Sequence, residues 1–228
     1  MFDGTFRKPV DKAVKPIGNA LRRTGLTPDH LTVVGLLVGI GAAVAIGAGN
    51  LTLGLILVIL AALPDLFDGA LAKASDTASQ RGAFFDSTVD RVTDAFLLGG
   101  IAWYLADTES AHMALLPFAV MAVSSIISYE RAKAESLGIE AKGGLMERAE
   151  RIIAICIGLL VPVLLVPILW LMLALTSITA VQRFVKVWRQ AMVAPVTAAR
   201  IELRRSRRQS RRVARSERRR TRVPRRPR

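Results

Sequence analysis

The sequence predicts an all-α integral membrane protein with six transmembrane helices, an N-terminal amphipathic juxtamembrane helix and both termini in the cytoplasm. The 228-residue chain is 52% hydrophobic yet carries a formal net charge of +14. Strong charge normally accompanies low hydrophobicity, so the two properties must lie in different segments. Several apolar runs also approach the ~20 residues that a helix needs to cross a bilayer, which a soluble core of this size would not require.

The N-terminal segment, residues 1–30, is polar and basic, with apolar residues at helical spacing. Those apolar residues are Val10, Val14, Ile17 and Leu21. The pattern predicts an amphipathic helix lying on the membrane surface. Thr27 and Pro28 then predict a helix cap and the first residue of a membrane-spanning helix.

Residues 31–190 are expected to form the membrane domain. The predicted spans are residues 31–49, 51–74, 83–106, 113–133, 146–162 and 164–188. The last two are separated at "VPVLLVP" because the uncharged run 152–181 is too long for one crossing. Pro162 and Pro167 are the only helix breakers within that run.

The tail, residues 191–228, holds nearly all of the net charge. From Arg200 onward the chain has fifteen Arg and two Glu. We expect a disordered cytoplasmic tail that associates with anionic membrane lipids. A nucleic-acid-binding arm would have a similar composition, but this tail has no aromatic residues and follows a membrane domain, so no nucleic-acid partner is expected.

The charges of the loops predict the orientation. The turns near Asn50, at "ADTESAH" and at "VPVLLVP" contain no Lys or Arg, whereas the remaining loops and both terminal segments are basic. The positive-inside rule places the basic segments in the cytoplasm. We therefore expect a multi-pass protein of the cytoplasmic membrane.

Six aspartates lie between residues 63 and 95, at the cytoplasmic boundary of the second and third spans. Asp65 and Asp68 are three residues apart, and Asp86 and Asp90 are four apart, so each pair shares one helix face. A short loop predicts an antiparallel hairpin that brings the four carboxylates together. Divalent cations, with a phosphate or pyrophosphate as a further ligand, would relieve their repulsion.

Small residues accompany these aspartates on the same helix faces. They are Gly69, Ala72 and Gly82. Glycine inside a helix costs up to ~1 kcal/mol relative to alanine, so its use here suggests that a ligand approaches the backbone closely. Lys73 adds a cation within reach of a phosphate.

Together these residues resemble the signature of the CDP-alcohol phosphotransferase family, Asp-x-x-Asp-Gly-x-x-Ala-Arg, eight residues, Gly-x-x-x-Asp-x-x-x-Asp. One position departs, since Lys73 stands where the family has Arg. Lysine keeps the charge but lacks the planar guanidinium. The resemblance implies a six-helix membrane enzyme, homodimeric, that moves a phosphatidyl group from a CDP-linked lipid to an alcohol and releases CMP.

The resemblance also implies roles for single residues. Asp65, Asp68 and Asp86 would bind two divalent ions, Mg²⁺ or Mn²⁺, at the CDP pyrophosphate. Asp90 would bind metal as well and act as general base for the acceptor hydroxyl. Asp94 continues the same helix face outside the signature and is expected to support the site. The nucleotide would contact Asp68, Gly69, Ala72, Lys73 and Gly82.

A second cluster of charges lies between residues 124 and 152. Arg148 and Arg151 are three residues apart on one helix face, an arrangement suited to binding a phosphate. The segment resembles the "SY-x-K-A-R-A-E … GGL-x-E-R-x-E-R" stretch of bacterial phosphatidylinositol phosphate synthases. At its two basic positions this chain has Arg131 where that stretch has Lys, and Lys133 where it has Arg. The resemblance implies CDP-diacylglycerol and inositol 1-phosphate as substrates. The candidate residues for the acceptor phosphate are Ser128, Arg131, Arg148, Arg151 and Arg183.

Other interpretations stay open at the level of sequence. Another phosphorylated polyol, glycerol 3-phosphate, would also need a basic pocket. An ion or proton transporter with a carboxylate relay would place aspartates near the bilayer midplane on discontinuous helices. The aspartates could also pair with Lys73, Arg81 and Arg91 as a solvated network at the helix ends, or the chain could serve only as a membrane anchor for its basic tail.

Overall fold

The computed structural model describes residues 28–75, 79–141 and 143–192; for residues 28 and 64–75 it describes the backbone alone. The described residues are helical and contain no strand. The α-helices are α1 Pro28–Gly47, α2 Leu51–Ser75, α3 Gln80–Thr108, α4 Leu115–Ser136, α5 Arg148–Leu160 and α6 Leu165–Ala191. They overlap the six predicted segments in order, so the all-α prediction is confirmed. Helix α1 begins at Pro28, as the sequence predicts.

Three segments of the described chain are long and apolar enough to cross a bilayer. They are Asp29–Gly47, Ala111–Ser136 and Pro162–Ala191, and α2 adds a shorter apolar stretch, Leu51–Leu63. Helix α5 has 13 residues. Its length of about 20 Å is less than the ~30 Å hydrocarbon core of a bilayer. These segments have the composition of a membrane protein, and three of the described helices meet the requirements of length and composition for crossing.

Large apolar side chains cover much of the outer surface of the described helices. Leu37 is 62% exposed, Trp170 is 58% exposed and Val163 is 85% exposed. Soluble monomers rarely expose large contiguous apolar patches. This surface is therefore the one expected to face lipid acyl chains.

Close helix packing centres on α1. It packs against α2 and α3, while α3 also contacts α4 and α2 contacts α5. A Cβ atom added to Gly100 would collide with the backbone of Ala43, and one added to Gly47 would collide with the ring of Trp103. Gly100 lets α1 and α3 approach backbone to backbone, as small residues do at membrane-helix interfaces, and Gly47 makes room for the Trp103 ring.

The apolar core extends through all six helices. Its members include Ile46, Val58, Ile101, Val120, Ile155 and Leu169. In α3 the buried residues of the C-terminal half, such as Leu97 and Leu105, anchor the helix in this core. The N-terminal half of α3, which carries the predicted aspartates, is thereby held in a defined position.

The chain divides into two units, Met1–Phe184 and Val185–Arg228. In the second unit the helix continues to Ala191, and Gln190 Nε2 donates to the Lys186 carbonyl at 3.3 Å. The predicted amphipathic segment and the predicted basic tail lie almost wholly outside the described residues. The domain division at residues 30 and 190 stays a prediction.

Candidate active site

The first part of the predicted site lies on α2. Its residues are Asp65, Asp68, Gly69, Ala72 and Lys73. Helix α2 runs through Ser75, so the two aspartates share a helix face as their spacing predicts. Their side chains lie outside the described residues. Among the side chains that are described, no group of three or more Asp, Glu, His or Cys could hold a metal ion, so the four-carboxylate site stays a prediction.

The start of α3 carries the next predicted residues. Ser79 caps the helix, and its Oγ accepts a hydrogen bond from Gly82 N at 3.0 Å. A Cβ on Gly82 would lie 3.2 Å from that Oγ, so a larger residue would press on the cap. Asp86, one turn later, is half-buried, and no described side chain forms a hydrogen bond or ion pair with it.

Asp90 lies in contact with an arginine from α5. Arg148 Nη1 is 2.7 Å from Asp90 Oδ1. Arg91 Nη1 is 3.7 Å from Asp90 Oδ2 and donates to the Ser87 carbonyl at 2.6 Å. The structure therefore brings together the residue predicted as base and a residue predicted to bind the acceptor phosphate.

Asp94, one turn beyond Asp90, contacts two arginines. Its Oδ2 is 2.6 Å from Arg151 Nη2, and its Oδ1 is 3.5 Å from Arg148 Nε. The side chains of Asp94 and Arg151 are only 15% and 8% exposed. Charges this deeply buried persist when they are paired. Asp90, Asp94, Arg148 and Arg151 thus form an arginine–aspartate ladder between α3 and α5.

Arg183 on α6 is buried, at 4% exposure. Its Nη1 donates to the Ile127 carbonyl and its Nη2 to the Gly143 carbonyl, both at 3.0 Å. Glu147 Oε1 lies 3.8 Å from the same Nη2, and the Nε has no partner among the described residues. The guanidinium fastens α4 and the loop before α5 to α6, and its predicted contact with the acceptor stays a prediction.

The same loop is held against α6 at a second position. Leu145 N donates to Thr179 Oγ1 at 3.2 Å. A Cβ on Gly144 would lie 2.5 Å from Thr179 Cγ2, and Gly143 has φ +95°, a conformation that favours glycine. The two glycines therefore let the loop lie on α6 and determine where α5, with Arg148, begins.

The remaining predicted acceptor residues lie on α4. The side chain of Arg131 is 47% exposed, and its Nε is 3.0 Å from Glu135 Oε1. Ser128 Oγ donates to the Ser124 carbonyl at 3.1 Å. A small pocket between α3 and α4 is lined by Arg91, Asp94, Met121, Ser124, Ser125 and Ser128. The structure thus places Ser128 and Asp94 in the same pocket. Arg131 lies on an exposed side of α4.

The helix-end network considered as an alternative is present only in part among the described residues. Arg91 lies near Asp90, but Arg81 pairs with Asp29, 3.0 Å away at the start of α1. Sequence reasoning did not single out Asp29 or Ser124. A pair separated by 52 residues leaves no periodic signal, and Ser124 differs from the neighbouring serines by its burial and by a hydroxyl without a partner among the described residues, neither of which the sequence shows.

Residues 25–198 match the model of a protein family described as CDP-alcohol phosphatidyltransferase. The chain belongs to this family. It is accordingly a transferase, and the family resemblance seen in the aspartate motif is confirmed. The match includes every candidate site residue on α2 to α6.

Individual relatives are similar over most of their length. Phosphatidylinositol phosphate synthase from Corynebacterium glutamicum is 35% identical over 202 residues, 85% of this chain and 92% of the relative. Archaetidylinositol phosphate synthase from Methanothermobacter thermautotrophicus is 36% identical over 197 residues, 81% of this chain and 93% of the relative. The match therefore extends beyond the aspartate motif to most of this chain and to nearly the whole length of each relative.

Solved structures show the same fold. The crystal structure of Mycobacterium tuberculosis phosphatidylinositol phosphate synthase with CDP-diacylglycerol bound has a TM-score of 0.72 at 32% identity, covering 78% of this chain and 94% of that one. The structure of that synthase in complex with manganese and citrate also has a TM-score of 0.72 at 32% identity, covering 77% and 88%.

Proposed function

We propose that this enzyme transfers a phosphatidyl group from CDP-diacylglycerol to a hydroxyl of inositol phosphate, releasing CMP, as a step of phospholipid biosynthesis. The observation that carries the proposal is the 2.7 Å contact between Asp90 and Arg148, because it joins a proton acceptor to a phosphate-binding cation. Relatives named phosphatidylinositol phosphate synthase support the acceptor. The relative with CDP-diacylglycerol bound supports the donor.

A divalent metal is assigned to the aspartates of α2 and α3. Carboxylate oxygens suit Mg²⁺ and Mn²⁺, and the half-buried Asp86, without a described counter-ion, fits a cation ligand. The manganese complex of a relative supports a divalent cofactor. We assign Asp65, Asp68, Asp86 and Asp90 to two such ions, Mg²⁺ or Mn²⁺. When bound, they would neutralise negative charge on the pyrophosphate oxygens.

The CDP nucleotide is assigned to the faces of α2 and α3 that carry small residues. Gly69, Ala72 and Gly82 leave room for the nucleotide close to the backbone, together with Asp68. Lys73 supplies a positive charge for the phosphates. This placement follows from the family signature, which these residues match except at Lys73, where the family has Arg.

The acceptor is assigned to the space between α3 and α5. Arg148 binds the acceptor phosphate, and Asp90 takes the proton from the attacking hydroxyl. That oxygen forms the new bond to the phosphorus of the phosphatidyl group as the bond to CMP breaks. General-base catalysis of this kind contributes about 10²–10⁴ in rate. Ser128, Arg131 and Arg151 are assigned to the acceptor phosphate as well, with Arg183 contributing through its Nε.

The membrane arrangement proposed from the sequence fits this chemistry. In this proposal all six segments cross the bilayer, the fifth over residues 146–162, which include the residues flanking the 13-residue α5. Both termini and the active site lie on the cytoplasmic side, and the enzyme is a homodimer. The apolar surface and the three long apolar helices support the membrane domain. Water-soluble acceptors would then reach the ladder from the cytoplasm without crossing the membrane.

The proposal is tested with purified enzyme, CDP-diacylglycerol and either Mg²⁺ or Mn²⁺. Inositol 1-phosphate, glycerol 3-phosphate, inositol and serine are offered separately while CMP release is measured. We expect release with inositol 1-phosphate and little with inositol or serine. Release with glycerol 3-phosphate alone would replace the acceptor and keep the mechanism, whereas no release with any acceptor would refute the proposal.

A further inference from the structure

We infer that Asp94 is a positioning residue for the acceptor phosphate, because its carboxylate holds Arg151 and Arg148 so that Arg148 faces Asp90. The inference rests on the proposed use of a phosphorylated acceptor. Asp94 lies one helical turn beyond Asp90 and outside the family signature. Neither the signature nor the predicted pair of arginines assigns it this role.

The two oxygens of Asp94 serve different arginines. Oδ2 makes the short contact, 2.6 Å, with Arg151 Nη2, and Oδ1 lies 3.5 Å from Arg148 Nε. The guanidinium is planar, with donors in fixed directions. A carboxylate that holds the Nε of Arg148 therefore also directs its Nη atoms, and Nη1 lies 2.7 Å from Asp90.

The two arginines consequently have unequal roles. The side chain of Arg151 is 8% exposed and that of Arg148 is 27% exposed. Arg151 lies deeper and provides the buried counter-charge that fixes Asp94. Arg148 is the more exposed of the two and is the arginine assigned to the acceptor phosphate. Of the two arginines predicted to bind the acceptor phosphate, Arg148 would make the closer contact with it, and Arg151 would act mainly through Asp94.

A simple link between α3 and α5 would require only the Asp94–Arg151 pair. Asp94 also contacts Arg148 and lines the small pocket that contains Ser128. These two additional features place Asp94 beside Arg148 and Ser128, which are both assigned to the acceptor phosphate. They predict that the loss of its charge affects acceptor binding before it affects donor binding.

The test compares the wild type with Asp94→Asn, Asp94→Glu and Asp107→Asn. Asn keeps the size of the side chain but removes the charge and turns an amide toward an arginine. Asp107 is a matched control because it lies about 20 Å along the same helix and accepts a hydrogen bond from Trp103 Nε1 at 2.9 Å. The measurements are KM for each substrate, kcat, and Mn²⁺-dependent binding of CDP-diacylglycerol.

For Asp94→Asn we expect KM for inositol 1-phosphate to rise about ten- to hundredfold, the usual cost of losing a charge-assisted hydrogen bond. The KM and binding of CDP-diacylglycerol should stay unchanged, and kcat should change less than the acceptor KM. Asp94→Glu should recover part of the loss, since it restores the charge. Asp107→Asn should behave as the wild type.

A second variant, Arg148→Lys, keeps the positive charge but lacks the Nε that Asp94 holds. It should raise the acceptor KM in the same way, so the inference can be tested even if Asp94→Asn does not fold. An unchanged acceptor KM in either variant would overturn the inference. An equal rise of both KM values in Asp94→Asn, with loss of CDP-diacylglycerol binding, would also overturn it by showing a purely structural role.

The wild-type result separates this inference from the proposed function. If glycerol 3-phosphate is the only acceptor used, the same selective rise in KM is expected with glycerol 3-phosphate, and the role of Asp94 stands. If the wild type uses only acceptors without a phosphate, the proposed function and the role of Asp94 both fail. If the wild type uses inositol 1-phosphate and the variants show no selective change, only the role of Asp94 fails.

Discussion

Helix α3 passes through two regions that are held together by different interactions. Its C-terminal half is apolar, with Ile101 fully buried and Gly100 against the backbone of Ala43. Its N-terminal half carries Asp90 and Asp94, which pair with arginines of α5. The first region depends on the shape of neighbouring surfaces, and the second depends on a balance of charges.

This difference predicts opposite sensitivities. One added methyl group should disturb the apolar half, because a packed backbone contact has no room for it. Replacing a carboxylate by an amide of the same shape should disturb the charged half, because it leaves a buried arginine without its counter-charge. Each change should have little effect when it is made at a matched position outside its own region.

The largest effect is expected for Asp90→Asn. The amide cannot take a proton from the acceptor hydroxyl, so turnover should fall by about 10²–10⁴. Binding of CDP-diacylglycerol should largely persist, since Asp65, Asp68 and Asp86 are assigned to the metal together with Asp90. CMP release and Mn²⁺-dependent lipid binding measure the two properties, with Asp107→Asn as the control that should retain both.

Asp68→Asn sharpens the same comparison. Asp68 is assigned to the metal and the nucleotide, so its loss should weaken metal-dependent binding of CDP-diacylglycerol itself. If Asp90→Asn and Asp68→Asn lose binding to the same extent, the assignment of Asp90 mainly to the base role is wrong.

In the apolar half, Gly100→Ala should destabilise the protein by about 1–3 kcal/mol, the usual range for overpacking. The adjacent Gly99 is exposed and has no atom within 4 Å of an added Cβ. Gly99→Ala should therefore be neutral or stabilising by up to ~1 kcal/mol. Thermal unfolding of the two variants in detergent measures the difference. Equal unfolding temperatures would contradict the close contact between α1 and α3.

The helices could be predicted because apolar runs and breakers act locally. Pro28 begins α1 as predicted, and the turn expected at "VPVLLVP" lies between Leu160, where α5 ends, and Leu165, where α6 begins. The close contacts at Gly47 and Gly100 could not be predicted. They depend on how two distant helices cross, which no spacing within one helix determines.

Some contacts of the candidate site could likewise be predicted from the sequence, and others could not. Spacing predicts that Asp90 and Asp94 share one face of α3 and that Arg148 and Arg151 share one face of α5. Which aspartate meets which arginine depends on the relative rotation and height of the two helices. The contacts of Arg183 are the hardest to predict from the sequence, since its main partners are the carbonyls of Ile127 and Gly143. Backbone acceptors carry no sequence signature.

A smaller effect is expected at the loop that precedes α5. In Gly144→Ala the new Cβ would press on Thr179 Cγ2, 2.5 Å away, and should shift the start of α5. We expect the acceptor KM to rise about three- to tenfold, equivalent to roughly 1 kcal/mol, while donor binding stays unchanged.

The double variant Gly144→Ala with Thr179→Ser is the control for this prediction. Serine removes the crowded methyl group but keeps the hydroxyl that accepts from Leu145 N. Steady-state kinetics should show that the second change restores much of the acceptor affinity. A double variant no better than Gly144→Ala would mean that crowding at Thr179 is not the cause.

The smallest effect is expected for Arg81→Gln. The Arg81–Asp29 pair joins α1 to α3 as the ladder joins α3 to α5, but its side chains are 85% and 37% exposed. Exposed ion pairs contribute ~0–1 kcal/mol and weaken as salt is added. Thermal unfolding should therefore differ slightly from the wild type at low salt and not at high salt. A loss above about 2 kcal/mol that persists in high salt would contradict this expectation. Stability at the start of α3 would then depend on the Arg81–Asp29 ion pair as strongly as the ladder depends on its own ion pairs.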